Sequence, residues 1–338
     1  MTGGAMTGGT GAAARMAVGA GIAAGGGTGA GAFDRLLHLG DVVVDVVLDV
    51  PALPERGGDV LAERSETTPG GGFNVMAAAA RQGLRVRYAG AHGGGPFGAL
   101  ARAGLAGAGI EILQPAKAGL DTGFVVALVD AGGERTFVTS RGAEATLTAG
   151  DLAGVAAGPR DAVYLSGYGL VHPSNRDALT DWLGRLGDDT VVFFDPGPLA
   201  ALIPAAVLDP VLARSDWVTG NARESALLTG RPDPAEAARA LAQRAGRRGV
   251  LVRTGPAGCL IGHRDRDPVT VPGFRVDVVD TNGAGDAHTG TFIATLAAGA
   301  GEVAAARAAN AAAALSVTRR GPATAPTAAE LAAFLAAR

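Results

Sequence analysis

The sequence predicts an α/β protein in which a mostly parallel sheet carries helices on both faces. Three observations lead there. From about residue 160 onward, short runs rich in Val, Phe and Tyr alternate with longer alanine-rich stretches, the pattern of strands linked by covering helices. Several of those runs, such as 190–195 and 249–253, are apolar almost throughout rather than at every second residue, as strands buried on both faces are. The chain has 338 residues, 48% of them hydrophobic, enough to fill the core such a sheet needs.

Residues 1–32 are almost wholly Gly, Ala and Thr and bury too little apolar surface to offset their ordering entropy. They read as a disordered Gly/Ala-rich extension ahead of one domain over 33–338. Residues 36–50 form one apolar run interrupted by Asp41, Asp45 and Asp49 and read as a buried strand. A carboxylate in such a run needs a partner, which makes one of the three a ligand contact at a strand end and leaves the others as solvated strand-end groups. After a polar stretch punctuated by Pro and Gly comes Pro69-Gly70-Gly71-Gly72-Phe73-Asn74, a turn leading into a helix over 75–81. Glycines there let a polyhydroxy ligand reach the backbone, and Asn74 either hydrogen-bonds its hydroxyls or caps the helix. A strand over 87–91 precedes Gly93-Gly94-Gly95-Pro96-Phe97-Gly98, a literal G-x-G-x-x-G that opens a helix. With Asp121 as its acidic residue, this loop supports an NAD(P)-binding oxidoreductase as an alternative of a different class. Runs at 124–129 and 135–139 flank Ala131-Gly132-Gly133-Glu134 and read as a hairpin. Strands follow at 162–166, 190–195, 216–219 and 249–253, with helices at 174–186, 223–229, 234–246, 284–298 and 302–318. The C-terminal ends of parallel strands should line a site, and Asp195 and Asn221 stand near two of them.

Composition narrows the function classes. A net charge of −3 provides no electrostatic footprint for nucleic acid or an acidic membrane. No apolar stretch reaches the roughly 20 residues that span a bilayer, and the N-terminal residues lack the layout of a secretory signal. The single cysteine, Cys259, excludes an intrachain disulfide, which fits a reducing, cytoplasmic setting. Lys117, the only lysine, has no glycine loop before it, so a Walker A phosphate site is absent.

The segment that carries chemistry is Val278-Val279-Asp280-Thr281-Asn282-Gly283-Ala284-Gly285-Asp286-Ala287-His288-Thr289-Gly290. A short apolar run, a turn of small residues and an alanine-rich helix place free amides at a helix N-terminus, which attracts an anion. Gly283, Ala284 and Gly285 carry so little side chain that a phosphate can approach their amides, and Asp286 stands beside them. An aspartate in a first helical turn is either a dipole-favoured cap or, next to an anion, a group that takes the proton of an attacking hydroxyl. His288 points away from the face of Asp286 and reads as packing.

This stretch closely resembles the D-T-x-G-A-G-D signature of the ribokinase-like, or PfkB, family of carbohydrate kinases, and the likeness runs over roughly residues 36–330. The resemblance implies a three-layer, Rossmann-like (ribokinase-like) fold with a small β-sheet lid built from strands in 46–65 and 122–140. It also implies ATP-dependent transfer of the γ-phosphoryl group to a hydroxymethyl group of a small sugar. Carried over, Asp286 is the catalytic base and Gly283, Ala284 and Gly285 form the anion hole. Gly40 to Asp45 has the family's G-x-x-x-x-D spacing, so Asp45 binds the acceptor together with Gly70, Gly71 and Asn74. Asn221 and Glu224 resemble the N-x-x-E motif that organises Mg²⁺ and phosphate through water, although alone the pair is a good helix capping box. Thr254, Gly255 and Gly258 resemble the nucleotide-contacting loop, and Asn310 the segment that lines the adenine pocket. Asp280, Asn282, Ser316, Arg319 and Gly321 resemble a monovalent-cation site, which adds K⁺ to ATP and Mg²⁺ as expected cofactors. Ala325 stands where relatives often offer a hydroxyl. Two further departures are His288 in place of an aromatic residue and Gly95 where a G-x-x-G-x-D-x-x-G stretch of the family carries Asp. Lids of this kind commonly pair between subunits, which implies a homodimer. A nucleoside kinase of the same family and a non-catalytic sugar sensor on the same fold stay open, because Asp, Asn and Gly contacts suit a free sugar and a nucleoside ribose alike.

Overall fold

The structure, a computed structural model, describes residues 33–338, so the expected extension over 1–32 lies outside the described residues. In chain order the elements are β1 (Arg35–His38), β2 (Val42–Asp49), β3 (Arg64–Gly71), α1 (Gly72–Arg81), β4 (Arg85–Tyr88), α2 (Pro96–Gly107), β5 (Glu111–Ile112), β6 (Phe124–Val129) and β7 (Arg135–Ser140). There follow β8 (Asp161–Ser166), α3 (Gly167–Val171), α4 (Pro173–Leu183), β9 (Val191–Asp195), α5 (Ala205–Arg214), β10 (Trp217–Asn221), α6 (Ala222–Thr229) and α7 (Pro234–Arg244). The chain ends with β11 (Gly249–Arg253), β12 (Gly258–Gly262), β13 (Val269–Pro272), α8 (Ala284–Ala297), α9 (Glu302–Ser316) and α10 (Ala328–Ala336).

One large sheet has the order β13-β12-β11-β10-β9-β8-β1-β4-β5. Every neighbouring pair from β11 to β5 is parallel, whereas β12 and β13 run antiparallel at one edge. Alternate residues enter two different cores, as the pleat requires. Val191 and Phe193 join Leu36, Tyr164, Trp217 and Leu251 on one face, and Val192 and Phe194 join Leu37, Val163, Val218 and Val250 on the other. Met76 of α1, Leu105 of α2, Phe292 of α8 and Ala309 of α9 close the first core; Leu179 of α4, Leu212 of α5 and Leu241 of α7 close the second. This is the expected three-layer α/β arrangement, and cover on both faces is why the strands read as unbroken apolar runs.

A separate four-stranded sheet has the order β3-β2-β6-β7. In it β2 pairs antiparallel with β3 and parallel with β6, and β6 pairs antiparallel with β7. Odd-numbered residues of these strands, among them Val43, Asp45, Val47, Val125, Ala127, Phe137 and Thr139, face a cavity between this small sheet and the large one. The opposite side of β7 is open, with Val138 62% exposed.

Several expectations need correction. The run over 36–50 is two strands in two sheets, because the chain turns at Gly40, whose amide donates to Nδ1 of His38 at 3.0 Å. Both halves are apolar, so hydrophobicity alone does not mark the break. The lid strands expected within 46–65 lie at and beyond its two ends, since 51–63 carries Pro51, Pro54, Gly57 and Gly58 and forms no strand. The glycine turn at 69–72 is the end of β3 running directly into α1. The strand expected over 87–91 spans Arg85–Tyr88. Not anticipated were β5, β12 and β13, α3, α5 with Pro210 inside it, and α10, although α10 announces itself through the Thr327–Glu330 capping box.

Candidate active site

Four neighbouring parallel strands, β8 to β11, end on Ser166, Asp195, Asn221 and Arg253, and all four residues line the cavity beneath the small sheet. Its volume of about 1370 Å³ exceeds that of an ordinary small-molecule site, and so has room for more than one small ligand. Strand C-terminal ends are where such sheets gather ligands.

At the foot of the cavity stands the N-terminus of α8. Gly283 caps it with φ 72°, a left-handed conformation that favours glycine, and a Cβ there would lie 1.8 Å from the carbonyl oxygen of Pro322. The first-turn amides that follow have no intrahelical acceptor at the positive end of the helix dipole; that of Ala284 lies 3.4 Å from the carbonyl of Thr281, which leaves those of Gly285 and Asp286 for a ligand. Gly283, Ala284, Gly285 and Asp286 all line the cavity. Asp286 is placed by helix packing: Gly290, one turn along α8, sits so close to α1 that a Cβ would lie 2.4 Å from the carbonyl of Val75 and 2.7 Å from Cβ of Ala78. That approach brings Nδ2 of Asn74 to Oδ2 of Asp286 at 3.3 Å and leaves Oδ1 of Asp286 for another donor. Desolvation, reinforced by the nearby Asp195 carboxylate, pushes the Asp286 carboxyl up to about 7, against the pull of Arg253 and Asn74.

The other expected acceptor residues gather above it. Asp45 faces the cavity from β2, and burial pushes its carboxyl up to about 6. Gly70 does not line the cavity; it lies behind Asp45, where a Cβ would come within 2.2 Å of the carboxylate. Gly71 and Asn74 do line it, and Oδ1 of Asn74 is buried without a partner. Reading the sequence missed Asp41, His172, Glu144, Arg141 and Tyr168, which share this wall. Asp41, expected to be a solvated strand-end group, is only 12% exposed in its side chain and lies 3.6 Å from Nε2 of His172. Asp49 pairs with Arg320 at 3.2 Å.

Toward the other end, Asn221 and Glu224 do form a capping box, with reciprocal bonds of 2.7 and 2.8 Å. Both the cap and the approach to Arg253 at 3.5 Å use Oε2 of Glu224, so Oε1 of Glu224 and the second lone pair of Asn221 Oδ1 remain to accept from the waters of a Mg²⁺ ion, and the pair fits that group. Burial, then the Asp195 charge, raises the Glu224 carboxyl above its ordinary value. Arg253, unsuspected from sequence, bonds Asp195 at 3.2 Å and Thr289 at 3.0 Å, and its guanidinium lies 3.5–3.7 Å from where a Cβ of Gly285 would be. It therefore supplies positive charge beside the free amides. Gly255 and Gly258 line the cavity, whereas Thr254 bonds the carbonyl of Gly258 and closes the turn between β11 and β12. Asn310 also lines it, and its amide group is held by the carbonyls of Val271 and Pro272 and by Nε2 of His288 at 3.0 Å. His288 is buried, and burial pushes it down to about 3, so the ring is neutral.

The expected monovalent-cation residues are less accommodating. The carboxylate of Asp280 already accepts the amides of Asn282 at 2.8 Å and Gly321 at 3.0 Å as well as the guanidinium of Arg135. Ser316 spends its hydroxyl on Ala313, and Arg319 turns to Glu330. The side chains of Asp280, Ser316 and Arg319 are thus committed to protein partners rather than to a cation. The Gly93–Gly98 loop is likewise occupied: Asp121 accepts from the amides of Phe97 at 3.1 Å and Gly98 at 2.7 Å, which fills the α2 N-terminus a dinucleotide would need. A Cβ on Gly95 would lie 2.4 Å from that carboxylate, so Asp121 provides from another loop the group that the family pattern carries at position 95.

The pfkB family carbohydrate kinase model matches residues 34–329. An uncharacterized sugar kinase of Escherichia coli, YegV, is 33% identical over 88% of this chain and 92% of its own length. An ATP-dependent ribose-1-phosphate kinase of Halopiger xanaduensis is also 33% identical, over 90% of this chain and 99% of its own. Among solved structures, a ribokinase from Thermotoga maritima superposes with a TM-score of 0.75 at 26% identity, covering 90% of this chain and all of that one. With the match over nearly all described residues and the same fold in its relatives, this chain belongs to the pfkB family of carbohydrate kinases and is a phosphotransferase.

Proposed function

We propose that the chain transfers the γ-phosphoryl group of ATP to a hydroxymethyl group of a small sugar held under the β2-β3-β6-β7 lid. The observation that carries this reading is the meeting, across 212 residues of sequence, of the Asn74 amide with the Asp286 carboxylate at a helix N-terminus rich in free amides. Asp45, Gly71 and Oδ1 of Asn74 offer acceptors and backbone to sugar hydroxyls, and one hydroxyl would donate to Oδ1 of Asp286. Asp286 takes that proton as the oxygen attacks in line, and a carboxyl titrating near 7 is matched to this work. The amides of Gly283, Ala284 and Gly285, with Arg253 behind them, stabilise charge on the transferring group. ATP would lie toward Gly255, Gly258 and Asn310, with Mg²⁺, held through water by Asn221 and Glu224, drawing charge from its phosphate oxygens. Closing the lid excludes water, which would otherwise accept the phosphoryl group.

One feature favours a nucleoside as acceptor: Phe137 of the lid and Tyr168 of α3, both lining the cavity, offer aromatic surface for a base. The test is Mg²⁺-dependent ADP release with ATP and a panel of pentoses, hexoses, sugar acids, sugar phosphates and nucleosides. Release stimulated by a sugar supports the reading and names the acceptor; binding of sugars with no stimulated release leaves a sensor instead. A homodimer joined along the open edge strand β7 belongs to the same reading. Light scattering should return twice the 33.3 kDa of one chain, and a single-chain mass removes the dimer.

A further inference from the structure

We propose that Arg135 of the lid performs in this chain what a monovalent cation would perform at Asp280, so that the enzyme works without potassium. The inference rests on the kinase reading and concerns the loop that leads into the anion hole. Asp280 stands three residues before Gly283, and a carboxylate there would repel an incoming phosphate unless a positive charge offsets it. Arg135 provides that charge, one guanidinium nitrogen on Oδ1 of Asp280 and the other 3.5 Å from the hydroxyl of Thr281. The ion pair is largely shielded from solvent, with side-chain exposures of 23% and 14%. A guanidinium is permanently charged and donates in a fixed fork, so it neutralises the carboxylate and also orients it.

In the second half of the expected cation site the hydroxyl of Thr324 lies 3.1 and 3.3 Å from the carbonyls of Ser316 and Gly321, donating its one proton to either, and the amide of Arg319 also donates to the Ser316 carbonyl at 3.0 Å. A backbone clasp, in which the amides of Val279 and Asp280 donate to the carbonyl of Val317 at 2.7 and 3.1 Å, holds the two loops together without an ion. The amides of Asn282 and Gly321 donate to the same carboxylate at 2.8 and 3.0 Å, so it is held in place alongside Arg135. Because Arg135 opens β7, the charge that steadies the anion-hole loop arrives with the lid. An open lid would remove that cation and leave the Asp280 carboxylate to the amides of Asn282 and Gly321 alone.

The test is steady-state ADP release at constant ionic strength with potassium exchanged for N-methylglucamine, on the wild type, Arg135→Ala and Arg135→Lys, with melting curves to show that each folds. The wild type should change less than about twofold, while Arg135→Ala should lose about tenfold or more of kcat and recover part of it with potassium or guanidinium, as loss of one charge-stabilising group predicts. Arg135→Lys should fall between the two. Wild-type turnover that rises severalfold with potassium overturns the proposal, and so does an Arg135→Ala enzyme with wild-type kcat. Calorimetric titration of a non-hydrolysable ATP analogue with and without potassium separates the two readings. If no acceptor supports turnover, the kinase reading fails by itself, and the cation proposal still stands or falls on whether potassium tightens nucleotide binding to Arg135→Ala but not to the wild type.

Discussion

Asp286 carries two consequences that pull in opposite directions. In its proposed role of base it must be ionised, so kcat/KM should climb with pH through about 7, the value to which burial pushes its carboxyl. Its folded-state pKa lies above the ordinary 3.8, so the folded protein holds this proton more tightly than the unfolded chain does. The resulting stabilisation is present at low pH and is lost as pH rises through about 7. Asp286→Asn should therefore lower turnover by about 10²–10⁴ and, above pH 7, raise the melting temperature, with the gap closing near pH 4. Near-wild-type turnover would sink the assignment, and a mutant less stable than wild type at pH 8 would sink the account of its environment. Gly70→Ala tests a neighbouring contact: its Cβ would meet the Asp45 carboxylate at 2.2 Å, so KM for the acceptor should rise by about tenfold while kcat changes less, the mark of lost ground-state binding. A fall in kcat with KM unchanged would place Asp45 in the chemical step instead. Residues such as Asp286, Asn74 and Asp45 were legible because each sits in a local pattern. Arg253 was not, because its partner Asp195 lies 58 residues away, and Asp121, which the sequence paired with the glycine loop as a ribose contact, instead fills the N-terminus of α2 itself.

At the scale of elements, the site depends on how closely α8 packs on α1. The two helices meet through Gly290, Ala78 and Val75, and the distance between Asn74 and Asp286 is set by that contact one turn above. Gly290→Ala puts a Cβ 2.4 Å from a backbone carbonyl, which cannot rotate away, so α1 must move. Overpacking of this kind costs about 1–3 kcal/mol. A shift of about 1 Å at the acceptor is worth up to about 10²-fold in rate. We expect Gly290→Ala to melt lower and to turn over at least about tenfold more slowly, measured by calorimetry and ADP release; an unchanged enzyme would show that the helices have slack. The helices and the buried parallel strands were legible from periodicity and apolar runs. The departure of β2 from the large sheet was not, because Val42, Val44 and Val46 continue the apolar run of β1 without a change of composition, and only the turn at Gly40 separates them. The edge strands β12 and β13 were hidden for a related reason: one is short and glycine-bounded and the other borders a proline.

For the whole molecule, the two sheets differ in how they are held. The large sheet is buried on both faces by α1, α2, α8 and α9 on one side and α4, α5 and α7 on the other. The small sheet has the cavity on one side, and β7 is exposed along most of its length. Its ties to the body include two ion pairs, Arg135–Asp280 from β7 and Asp49–Arg320 from β2, and the second is exposed enough to contribute about 1 kcal/mol or less. Local opening free energy follows burial, so the lid should open far more often than the large sheet does. Hydrogen exchange read by mass spectrometry checks this. Without ligand, amides of β6 and β7 should exchange at least about tenfold faster than those of β8 to β11. The acceptor identified by ADP release should slow exchange in the lid strands and leave β8 to β11 unchanged, because it closes the cavity without altering the core beneath it. If the lid is already as protected as the large sheet, or the acceptor protects both alike, the small sheet is a fixed wall, and the coupling of phosphoryl transfer to its closure has no moving part.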